Sequence, residues 1–118
     1  MPAVPSILVY GRDHRLLETR GWVLEQAGYR VLTALTLTEA EHIAEIESVG
    51  LLLLCHSLSV EDYEKALTAV STIHPEIKRL LMTANTPLCP LSPDDRVLSA
   101  FDGPRALVAA VQELVPRL

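Results

Sequence analysis

The feature that most constrains this 118-residue chain is a short run near its middle, residues 50–55 (Gly-Leu-Leu-Leu-Leu-Cys), which is apolar without alternation. Successive side chains of a strand point to opposite faces, so a strand with one face in water alternates apolar and polar residues. An unbroken apolar run of this length needs cover on both faces, the situation of a central strand in a parallel sheet. It is far short of the about 20 apolar residues needed to cross a bilayer.

The rest of the chain alternates between strand-like and helix-like segments. Ser6-Ile7-Leu8-Val9-Tyr10 is a short apolar run ended by Gly11. Residues 14–27 have helical periodicity, with Leu16, Val23 and Ala27 near one face, Leu24 beside them and Trp22 off the stripe. Asp13 suits the N-cap, and Gly28 stands where a helix C-cap glycine belongs. Residues 29–34 form a second strand. Thr38 and Glu41 have capping-box spacing and open a helix carrying Ala40, Ile43, Ala44 and Glu47. Ser59 caps a helix with Tyr63, Ala66, Leu67 and Val70 in one stripe, and Pro75 ends that region. Residues 78–83 and 96–99 are the fourth and fifth strands. Asp102 is positioned to cap a last helix bearing Leu107, Val108, Val111, Leu114 and Val115.

One helix is missing from the alternation. Residues 85–93 contain Pro87, Pro90 and Pro93, and proline neither donates a helical hydrogen bond nor fits against the preceding turn. The expected fold is α/β: a doubly wound, five-stranded parallel sheet of flavodoxin-like form, with the fourth helix shortened or replaced by a proline-rich loop. Residues 1–118 are expected to make one domain, with no internal repeat.

Composition narrows the function classes. With 49% hydrophobic and 21% charged residues, the chain has material for one core and too little charge for disorder. A net charge of −5 provides no basic footprint for nucleic acid or an anionic membrane surface. The N-terminus lacks the basic and apolar regions of a signal peptide. The two cysteines, Cys55 and Cys89, are too few for a disulfide framework, and a reducing cytoplasm is the expected setting.

Five segments, in order, resemble the receiver (CheY-like) family of bacterial two-component signalling. Residues 7–13 (Ile-Leu-Val-Tyr-Gly-Arg-Asp) are similar to the family's first strand and acidic cluster, and residues 27–31 (Ala-Gly-Tyr-Arg-Val) to its helix exit and second strand. Residues 51–55 resemble the strand bearing the phosphorylated aspartate, and residues 81–84 (Leu-Met-Thr-Ala) the strand bearing the switch hydroxyl. Residues 94–102 resemble the fifth strand and the segment that carries a lysine.

The resemblance also implies where the family's chemistry is missing. The Mg²⁺-binding carboxylates fall on Gly11 and Arg12, with Asp13 one place late and suited to capping. Mg²⁺ requires oxygen ligands. The phosphoacceptor falls on Cys55, the lysine on Ser99 and its neighbouring proline on Ala100. Thr83 alone matches, and Arg96 replaces a switch aromatic. Gly11, Arg12, Asp13, Cys55, Thr83 and Ser99 thus outline a degenerate pocket without cofactor or metal. Arg12 is expected to bond local carbonyls or Asp13.

The leading expectation is a non-phosphorylatable pseudo-receiver: not an enzyme, but a protein-interaction module engaging another signalling protein or domain. Trp22, Pro87, Pro90 and Arg96 are candidate partner-surface residues, and the oligomeric state is left open. The alternative is a ligand or redox sensor in the vacated pocket. In it Arg12 lowers the Cys55 pKa, or joins Thr83 and Ser99 to hold a small anion. Cys55 and His56, adjacent along a strand, are expected to face opposite ways. His14, His42, His56 and His74 lack metal-ligand spacing, although His14, Cys55 and Cys89 could meet in space. Glu61, Asp62 and Glu64 are expected to favour a helix N-terminus electrostatically.

Overall fold

The structure is a computed structural model that describes residues 6–84 and 96–115. Five parallel strands, β1 (Ser6–Tyr10), β2 (Arg30–Ala34), β3 (Val49–Leu54), β4 (Lys78–Thr83) and β5 (Arg96–Ser99), form one sheet in the order β2-β1-β3-β4-β5. Helices α1 (His14–Gln26), α2 (Leu37–Ile46), α3 (Val60–Ile73) and α4 (Gly103–Leu114) cover it. This is the flavodoxin-like α/β fold expected from the sequence. The segment between β4 and β5, including Pro87, Pro90 and Cys89, lies outside the described residues.

β3 sits at the centre and has a core on each side. Leu51 and Leu53 pack with Ile7, Val9, Leu80 and Met82 under α1 and α4. Leu52 and Leu54 pack with Leu8, Tyr10 and Leu81 under α2 and α3. All four leucines are inaccessible to solvent, which is why the run shows no alternation. Burying each such side chain contributes about 1.5–3 kcal/mol.

The caps decide where the helices begin and end, and three details depart from expectation. In α1 the buried residues are Leu17, Arg20, Gly21 and Leu24, so the stripe is turned from the one drawn through Leu16, Val23 and Ala27, which are half-buried. α2 starts earlier than expected. Its cap is Thr36, whose hydroxyl accepts from the Glu39 N–H at 3.1 Å, so neither Thr38 nor Glu41 has the assigned role. Asp102 precedes α4 but makes no side-chain capping bond, because its backbone is already helical.

The other ends follow the sequence. Asp13 Oδ1 accepts from the Arg15 and Leu16 N–H groups at 3.0 and 3.4 Å. Gly28, at φ 96°, turns the chain out of α1. The Tyr29 and Gly28 N–H groups then return to the Leu24 and Glu25 carbonyls, which makes a Schellman closure. Ser59 and Asp62 form a reciprocal capping box on α3.

Tyr63 ties α3 to the sheet. Its buried hydroxyl lies between the carbonyls of Cys55 and Met82, one following β3 and the other within β4. Burial pushes its pKa up to about 12, so it stays a neutral donor. Replacing Tyr63 with Phe leaves those carbonyls without that donor. The expected loss is about 1–2 kcal/mol of unfolding free energy with an unchanged denaturant slope, measured by urea titration.

Candidate functional site

In this strand order the connection reverses between β1 and β3, and the crevice beyond their carboxyl ends is where ligands bind such sheets. Residues following β1 (Gly11, Arg12, Asp13) and β3 (Cys55, His56, Ser57) meet there. The Cys55 N–H donates to the Tyr10 carbonyl at 3.0 Å, and the Arg12 N–H to Ser57 Oγ at 3.0 Å.

Gly11 and Cys55 fill the same space. A Cβ at Gly11 would lie 2.9 Å from Cys55 Cβ, 3.2 Å from its Sγ and 3.1 Å from Ser57 Oγ. The glycine is needed for this close approach, since its φ is not positive. Cys55 is fully buried, and burial raises its thiol pKa, a rise that the charge of Arg20 opposes. A thiol held protonated is a poor nucleophile.

Arg12 leaves the crevice. Its Nε donates to Asp62 Oδ2 at 3.1 Å and its Nη2 to Asp62 Oδ1 at 2.8 Å, a two-pronged pair with the first turn of α3. It bonds neither Asp13 nor a local carbonyl, and it is not the arginine acting on Cys55. The paired guanidinium lowers the Asp62 pKa to about 2, helped by the Ser59 backbone and hydroxyl groups. Asp62 therefore has a specific partner beyond the general helix-end role expected of the acidic run.

The cation inside the site is Arg20, which the sequence reading did not identify. It projects from the core face of α1, is 8% exposed, and places Nη2 3.0 Å from His56 Nδ1. A guanidinium can only donate, so Nδ1 accepts and a neutral His56 carries its proton on Nε2. Burial and the Arg20 charge both lower the His56 pKa. Cys55 and His56 thus both feel the charge of Arg20. The signal in the sequence is an arginine three residues after Leu17 and four before Leu24, on the stripe that α1 buries.

Thr83 and Ser99 are paired neighbours at the ends of β4 and β5. Both are half-buried, and Ser99 Oγ accepts from the Phe101 N–H at 3.2 Å. With Arg12 turned onto α3, the expected anion cradle of Arg12, Thr83 and Ser99 is not assembled. Trp22 is 63% exposed on the outer side of α1. Arg96 is exposed at the start of β5 and pairs with Glu113 at 2.7 Å. His14 pairs with Glu18 at 3.6 Å, and among the described residues no group of three His, Cys, Asp or Glu side chains could hold a metal ion. Within the crevice Gly11 offers no side chain and Cys55 a thiol, whereas Mg²⁺ takes hard oxygen ligands.

Two measurements check this geometry. Gly11→Ala should destabilise by about 1–3 kcal/mol through overpacking. Less should be lost in a Cys55→Gly background, because the opposing Cβ is gone; a double-mutant cycle in urea reads the difference. His56 and Asp62 both have depressed folded pKa values, so their contributions are present at neutral pH and disappear on acidification. Stability should fall below about pH 6.5 as unfolded His56 takes up protons. It should fall again from about pH 4 toward pH 2 as Asp62 does. His56→Asn should remove the first step and Asp62→Asn the second.

No family model matches this sequence, and no curated protein does. Solved structures do match. A response regulator receiver protein from Sinorhizobium medicae superposes with a TM-score of 0.82 at 17% identity, over 95% of this chain and 94% of that one. A CheY-like receiver domain protein from Methanospirillum hungatei gives 0.78 at 22% identity, over 94% and 93%. A receiver domain protein from Clostridium thermocellum gives 0.81 at 19%, over 94% of both chains. At these identities the likeness is one of backbone architecture, and the chain has the fold of the CheY-like response-regulator receiver domains.

Proposed function

We propose that this chain is a non-phosphorylatable receiver-like module that works in two-component-type signal transduction by binding another signalling protein or domain. The observation carrying the reading is the contact between Gly11 and Cys55. Where the family pattern calls for carboxylates on two strands, a glycine without a side chain adjoins a buried, protonated thiol. Asp13 is occupied in capping α1 and Arg12 in pairing with α3. The core beneath is intact, so the fold is retained.

Binding without catalysis fits the remaining surface. Trp22 exposes a large aromatic face on α1, and tryptophan is enriched where partners dock. Arg96 marks a second candidate position. The acidic net charge argues for a protein partner over nucleic acid or membrane. No helix among the described residues is long and apolar enough to cross a membrane. A reducing, cytoplasmic setting accords with the free, buried Cys55.

The test is exposure to acetyl phosphate with Mg²⁺, followed by intact-mass measurement, alongside amide spectra recorded with beryllofluoride. The expected outcome is an unchanged mass and no saturable shifts at Gly11, Cys55, Thr83 or Ser99. A phosphoryl adduct, or concerted shifts at those amides, overturns the reading.

A further inference from the structure

The contact between α1 and the turn after β3 depends on a single proton. Arg20 is 8% exposed on the core face of α1, and its Nη2 lies 3.0 Å from His56 Nδ1. A guanidinium has no acceptor atom, so the contact exists only while Nδ1 keeps its lone pair. Once His56 takes up a proton, both ring nitrogens carry hydrogen, and two cations face each other with neither able to accept. Among the described residues Arg20 makes no ion pair, and its Nη1 is buried without a hydrogen-bond partner.

The other groups around His56 are already committed. The Asp13 carboxylate acts against the Arg20 charge, but it caps α1. After β1, Arg12 is turned away to Asp62 of α3. Cys55 at the end of β3 and Tyr63 of α3 are held neutral by burial. The two partners also differ in their freedom to move. Arg20 stands between Leu17 and Leu24 on the buried stripe of α1, whereas His56 and Ser57 form a half-buried turn. Cys55 before that turn and Leu58 after it are buried, so movement is confined to the turn itself. Ser57 Oγ accepts from the Arg12 N–H at 3.0 Å, which ties the same turn to the segment after β1.

We propose that the Arg20–His56 contact is an acid-released latch: on protonation of His56 the His56–Ser57 turn parts from α1 and from the Arg12 backbone, opening the crevice edge while the sheet stays folded. Because the closed turn disfavours the imidazolium, opening takes up a proton, and falling pH favours it. Burial and the Arg20 charge lower the His56 pKa from the ordinary 6.5, which sets release below that pH. Asp62, with its pKa at about 2, stays paired with Arg12 throughout. The latch is independent of the proposed partner-binding role, and it makes the hold of α1 on the crevice edge pH-dependent.

The experiment follows the whole chain by NMR from about pH 8 to about pH 4.5. It reads the His56 ring nitrogens and amide hydrogen exchange, corrected for the intrinsic pH dependence of exchange. His56 should titrate below 6.5, from a neutral form protonated on Nε2. Across that titration, protection of the Arg12 amide should fall at least about tenfold. The Cys55 amide, bonded to the Tyr10 carbonyl, should keep its protection. His56→Asn retains an acceptor for Arg20 and takes no proton, so it should abolish the fall. Arg20→Gln should return the His56 pKa toward 6.5 and reduce the fall. Unchanged protection at Arg12, equal loss at Cys55, or the same fall in His56→Asn overturns the proposal.

Discussion

The structure depends on the burial of β3 from both sides. Leu51 and Leu53 serve one core and Leu52 and Leu54 the other, so a shift of one residue in β3 would exchange the two sets. Its neighbours β1 and β4 show the same division, with Ile7 and Val9 opposite Leu8, and Leu80 and Met82 opposite Leu81. Helices must cover both faces, and parallel strands need crossovers long enough to hold them. The crevice at the strand ends then follows from the order β2-β1-β3-β4-β5, because the connections from β1 and β3 leave toward opposite faces.

The turns that border the crevice pack closely on one another. Cys55 occupies the room a side chain at Gly11 would need, and the Tyr63 hydroxyl bridges from α3 to carbonyls at the ends of β3 and β4. Arg12 fastens the turn after β1 to α3 through Asp62, which also closes the α3 capping box. Together these contacts join the turns beyond β1 and β3 to α3. Arg20 of α1 lies to one side, where it meets His56.

The elements were legible wherever the signal is local. The stripe of Tyr63, Ala66, Leu67 and Val70, the Ser59 cap and the Gly28 exit were read correctly, because each is set within a few residues along the chain. Local chemistry does not separate Thr36 from Thr38 as the α2 cap, because both precede a glutamate at capping spacing. In α1, Leu16, Leu17, Val23 and Leu24 offer two adjacent apolar lines, and periodicity does not choose between them. Packing against Val31 and Thr33 around Gly21 accompanies the choice of the second. With that line chosen, Arg20 turns inward.

The sequence by itself determined the strand and helix pattern and the parallel two-faced sheet. These rest on side-chain periodicity and residue identity, which can be counted along the chain. The tertiary structure alone decided which groups meet. Arg12 reaches Asp62 50 residues away, and Arg20 reaches His56 across 36. Such pairs form only after the sheet has set β1 beside β3 and α1 has chosen its buried face. A charged side chain's partner depends on that geometry and not on its neighbours in sequence.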